Sequence, residues 1–86
     1  MENCFNMLAR VKNVEEKIEV EVIRAKYASG IYWVLTSPAT RILDEKGNII
    51  KKTDLKAGDT VKIIYSGQVM MSYPPQIVAL EMQKCN

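Results

Sequence analysis

Apolar and polar residues alternate along most of this chain with a period of two, in short runs separated by turn signals. A period of two sends successive side chains to opposite faces of a strand, whereas a helix groups its apolar positions at spacings of three and four. Phe5, Met7, Ala9 and Val11 share one side of a first run, and Asn6, Arg10 and Lys12 the other. After a polar turn at 13–16, Ile18, Val20 and Val22 alternate with Lys17, Glu19, Glu21 and Ile23. A helix over 14–28 is the rival here, because Glu and Lys are good helix formers. The spacing of two, and the stiffness of Val and Ile side chains in helices, favour a strand.

Ala28-Ser29-Gly30 breaks the pattern, and a third strand follows over 31–36. Ile31, Trp33 and Leu35 share one of its faces, and Tyr32, Val34 and Thr36 the other. Pro38 stops it, having no N–H to donate to a ladder. Segments 41–43 and 48–50 flank Asp44-Glu45-Lys46-Gly47, the pattern of a small hairpin with glycine where a positive φ is wanted. Thr53 and Asp54 can cap one helical turn with Leu55 tucked inward. Gly58-Asp59 turns the chain into a run in which Val61, Ile63 and Tyr65 alternate with Lys62 and Ile64. Ser66-Gly67-Gln68 is a further turn, and Pro74-Pro75 makes the next stretch an extended loop. The last strand, over 76–83, is expected to place Val78, Leu80 and Met82 on one face.

Five principal strands and a hairpin in 86 residues predict an all-β fold: a small five-stranded Greek-key barrel of the OB type, one domain over 1–86, with 38–58 as a short hairpin insertion. Closure also removes sheet edges that would aggregate. In the expected strand order the first and last strands are antiparallel neighbours, which brings Cys4 near Cys85. These two cysteines make no CxxC pair, and without histidine they complete no zinc site. They are either separate thiols, or a disulfide joining the ends, or Cys4 carries a modification or an interchain bond. A disulfide closing so long a loop is worth about 4–5 kcal/mol in the loop-entropy model, and it implies an oxidising compartment.

The same residues speak against catalysis. With no histidine the commonest general base is absent. Glu15-Glu16, Glu19 with Glu21, and Asp44-Glu45 lie on polar stretches and read as solvated faces. Ser29, Ser37, Ser66 and Ser72 sit beside turn formers and belong to no nucleophile motif. No phosphate-cradling glycine motif occurs, and Asp44, Glu45 and Asn48 read as turn chemistry rather than a calcium loop. The expectation is therefore a domain that is not an enzyme and needs no cofactor or metal.

What remains is binding. A net charge of +2 gives no basic arm, and Lys51, Lys52, Lys56 and Lys62 are the one cationic grouping. OB barrels present aromatic platforms on their second and third strands, which singles out Tyr27, Tyr32 and Trp33. Adjacent Tyr32 and Trp33 must face opposite ways, and Trp33 is assigned to the core. Tyr73, ahead of two prolines, either clamps one mouth of the barrel with its ring packed or stands on the surface as a contact. The candidate binding residues are thus Tyr27, Tyr32, Lys51, Lys52 and Tyr73. No apolar run reaches the ~20 residues of a membrane span, and no export signal is written at the N-terminus.

Leu55-Lys56-Ala57-Gly58-Asp59-Thr60-Val61-Lys62-Ile63, then Tyr65-Ser66-Gly67 and Ser72-Tyr73-Pro74-Pro75-Gln76, resemble the YobA-like domains of Gram-positive bacteria, a family of unknown function. The likeness covers 55–82. Met71 stands where that pattern carries an acidic residue, so no role for a carboxylate transfers. The resemblance implies a small OB-like barrel, no assigned activity, and a secreted or cell-envelope location, where the chain alone would be placed in the cytoplasm. The function expected is a non-catalytic binding or accessory domain, monomeric or weakly dimeric, for a peptide, an envelope component or a small ligand. The alternative is a single-stranded nucleic-acid-binding OB protein using Tyr27, Tyr32 and the Lys51/Lys52 loop.

Overall fold

The structure, a computed structural model, describes residues 4–85; positions 1–3 and 86 of the expected domain lie outside the described residues. Six strands follow one another: β1 (Phe5–Val14), β2 (Ile18–Ala25), β3 (Ile31–Leu35), β4 (Arg41–Leu43), β5 (Thr60–Tyr65) and β6 (Gln76–Lys84), with one 3₁₀ turn at Lys52–Asp54. The sheet order is β3-β2-β1-β5-β6-β4, and a parallel β3–β6 pairing closes the first five into a ring. The result is a closed five-stranded OB-like barrel with β4 added beside β6.

Alternation does the structural work. Met7, Ala9 and Val11 of β1, Ile18 and Val20 of β2, and Val61, Ile63 and Tyr65 of β5 are all buried, as their spacing predicts. β1 is long enough to pair with β2 along one edge and β5 along the other. Register shifts at Leu8/Ala9 and Val11/Asn13 accompany the β1–β2 pairing, and irregularities of this kind increase local bend and twist, which closure demands. The Asp44–Asn48 hairpin forms as expected, with the Asp44 N–H on Asn48 O at 2.8 Å and the Ile50 N–H on Ile42 O at 2.8 Å. Leu55 follows the 3₁₀ turn and is buried in the shared core. Gly58 (φ +97°) makes the turn into β5, and its N–H reaches Val11 O at 2.8 Å.

Three expectations are corrected. The first and last strands are not neighbours, because β5 lies between β1 and β6. Cys85 N–H bonds Thr60 O at the start of β5, while Cys4 precedes Phe5, which pairs with Tyr65 at its end. Five strand residues separate these places, about 17 Å, so Cys4 and Cys85 carry no disulfide between them. In β6 the inward residues are Ile77 and Ala79, while Val78 and Leu80 face out. A register shift between Ile64 and Tyr65 then leaves Leu80 without a counterpart and returns Met82 to the core. In β3 the inward pair is Tyr32 and Val34, and Trp33 is half-buried on the outer face with the Lys17 ammonium 4.1 Å from its ring centre.

Candidate functional site

One end of the barrel gathers the start of β1, the 26–30 loop and the 66–75 loop. Phe5 ties these segments together. Its ring meets Tyr27 edge-on at 5.5 Å and lies 5.9 Å from Tyr65. Gly67 (φ +94°) passes so close that a Cβ there would run into the Phe5 ring. Burial, and Tyr32 beside it, push the Tyr65 phenol above its ordinary 10.0.

Beyond Gly67 the chain forms a small hairpin rather than a plain extended loop. Met70 and Gln76 bridge in antiparallel fashion, each backbone N–H reaching the other's carbonyl, at 2.8 and 3.1 Å. Ser72 Oγ donates to Pro74 O at 2.7 Å and accepts from Gln76 Nε2 at 3.1 Å. The Tyr73–Pro74 peptide is cis. Trp33 N–H bonds Pro75 O at 3.0 Å, fastening the hairpin to β3. On this braced support Tyr73 is 99% exposed and Met71 90% exposed, with Met70 also exposed. Tyr73, Pro74 and Pro75 line a groove of about 520 Å³ with Ser29, Gly30 and Ile31. Tyr73 is therefore not the packed clamp over the barrel mouth.

The other predicted residues are scattered. Tyr27 is 68% exposed and belongs to this end. Tyr32 is 8% exposed and faces the core, so it offers no platform. Lys51 and Lys52 lie at the opposite end, where Lys52 Nζ donates to Glu16 O (3.4 Å) in the turn after β1. Lys62 leaves that grouping altogether, since it stands on the outer face of β5 across from Leu8. There it lines a groove of about 400 Å³ with Asn6, Leu8, Arg24 and Lys26. The residues needed for the nucleic-acid reading thus share no surface.

The outer face of β2 and β3, where OB barrels commonly take ligands, carries Trp33 above a groove of about 560 Å³ lined by Asn13, Glu15, Glu16, Lys17 and Glu19. Its carboxylates would repel a phosphate backbone. Among the described residues, no group of three or more His, Cys, Asp or Glu side chains is placed to hold a metal ion, and no helix is long and apolar enough to cross a membrane.

Met70, Met71, Arg24 and Lys26 were not foreseen as site residues. The signal was present as an omission, because neither 22–43 nor 60–80 contains an Asp or Glu. Fold and site together define a small OB-like barrel with an apolar loop end whose two loops, 26–30 and 66–75, contain no Asp or Glu. Comparison with protein-family models, with curated proteins and with solved structures finds no match in any of the three.

Proposed function

We propose that this protein is a non-catalytic binding domain whose working surface is the loop end formed by 26–30 and 66–75. The observation that carries this is the exposure of Tyr73 and Met71 on a hairpin braced by its own hydrogen bonds. Large apolar side chains held rigidly in water add nothing to the core, and preorganised side chains lose little freedom on binding. Kinship with the YobA-like domains is part of this proposal, since the Ser72-Tyr73-Pro74-Pro75-Gln76 stretch that carries the likeness builds this hairpin.

Photo-cross-linking from position 71 tests it, with position 45 in the Asp44–Asn48 turn as the control. Adducts in expressing cells should form from position 71 and be sparse from position 45. Equal yields from both positions, or none from either, would remove the loop end as the working surface.

A further inference from the structure

The loop end differs from the rest of the surface in sign as well as in polarity. Its two loops contain no Asp or Glu. Among the described residues the carboxylates lie outside these loops, with Glu15 and Glu16 in the turn after β1, Asp44 and Glu45 in the hairpin after β4, and Asp54 in the 3₁₀ turn. From the apolar end, Lys26 leads along the barrel wall into the groove that it shares with Arg24 and Lys62. The ammonium of Lys26 stands 5.6 Å from the centre of the Tyr27 ring. Among the described residues, Arg24, Lys26 and Lys62 make no ion pair with a carboxylate.

We propose that this end of the barrel docks on an anionic lipid surface, with the Met71–Tyr73 tip entering the interface and the Arg24–Lys26–Lys62 groove taking lipid phosphates. This rests on the loop end being the working surface. Met71 and Tyr73 stand almost wholly in water rather than lining an enclosed cavity, and a lipid surface deforms around such projecting side chains. Tyr73 and Tyr27 each combine an apolar ring with a polar hydroxyl, the chemistry that settles at headgroup depth. Met71, two residues before Tyr73, supplies a fully apolar and exposed element. Cations close behind such a tip are attracted by an anionic leaflet, and the carboxylates that it would repel are absent from both loops. A nucleic-acid strand would want stacking rings along the groove, and the groove floor is Asn6 and Leu8 instead.

Co-sedimentation of the full chain with vesicles tests the assignment. The probes are phosphatidylcholine alone and phosphatidylcholine with about one-quarter phosphatidylglycerol, the latter giving an anionic surface. Partitioning should be about tenfold or more stronger on the anionic vesicles, and should weaken as salt is raised toward ~0.5 M. Met71→Ser/Tyr73→Ser should abolish it without moving the melting temperature. Lys26→Gln should weaken it about fivefold, the effect of one cation near such a surface. Lys51→Gln/Lys52→Gln, at the far end, should leave it unchanged. Equal binding to both vesicle types, binding that survives Met71→Ser/Tyr73→Ser, or loss in the Lys51/Lys52 variant would overturn the inference. No vesicle binding together with protein adducts from position 71 would leave the loop end as the working surface and remove only the lipid. Neither vesicle binding nor adducts would remove both.

Discussion

Tyr32 and Tyr73 are the same side chain in two environments. Tyr32 sits against Val20 across the β2–β3 ladder and faces the barrel core. Tyr73 touches water on nearly its whole surface. Truncating a buried ring removes its transfer energy and leaves a cavity, so Tyr32→Ala should cost about 3–5 kcal/mol. Tyr73→Ala should stay within about 0.5 kcal/mol of the parent. Urea denaturation of the two variants separates them, and a comparable loss in both would mean that Tyr73 packs after all. Gly67 provides the second contrast. Its positive φ disfavours any Cβ, and the Phe5 ring occupies the space that a Cβ would need. Gly67→Ala should destabilise by about 2 kcal/mol and lower the melting temperature by roughly 10 °C. Gly30 has a positive φ but open space around it, so Gly30→Ala should cost less.

At the scale of elements, β6 tests the inward-outward assignment most directly. Ile77 is fully buried, while Leu80 is nearly half exposed at a point where the register with β5 slips. Ile77→Ala should therefore cost about 2–5 kcal/mol, and Leu80→Ala about 1 kcal/mol or less. The opposite ranking would restore the arrangement expected from alternation alone. That arrangement failed for a physical reason. Positions 77–80 are all apolar, so a period of two marks no preferred face, and the choice falls to neighbours far away in sequence. Trp33 and Tyr32 pose the same problem in β3. By contrast β1, the start of β2, and β5 carry polar residues at outward positions (Asn6, Arg10 and Lys12; Glu19; Lys62), and their buried faces were legible from residues alone. The hairpin at Asp44–Asn48 was legible too, because Asp44 and Gly47 are turn chemistry rather than packing. Strand order was only partly legible: five strands implied closure, but placing β5 between β1 and β6 depends on pairings that no local pattern encodes. The candidate site was least legible. Exposure of Met71 and Tyr73 depends on the 66–75 segment folding back as its own hairpin, which two prolines alone do not specify.

For the molecule as a whole, the chain lacks the one side chain that ordinarily titrates between pH 5 and 8, since it has no histidine. Changes at the two extremes should then stand out. On the acid side, Asp44 is held below its ordinary 3.8 first by the Asn48 N–H on its carboxylate and then by the Lys46 N–H. The unfolded chain takes up this proton at a higher pH than the folded one does. The stability that Asp44 contributes is therefore present above 3.8 and lost as pH falls through the lower folded value. On the alkaline side, Tyr65 is pushed above 10.0 by burial, with a contribution from Tyr32. Its neutral form is favoured in the folded state, so this contribution is present below 10.0 and disappears as pH rises through the raised folded value. The melting temperature should accordingly trace a plateau from about pH 5 to 9, with a limb falling away on each side. Asp44→Asn removes the titrating group, so its deficit relative to the parent should shrink as the pH drops below the carboxylate range. Tyr65→Phe should in the same way flatten the alkaline limb. A step in melting temperature between pH 6 and 7, which neither group can produce, would show that a different ionisation governs folding.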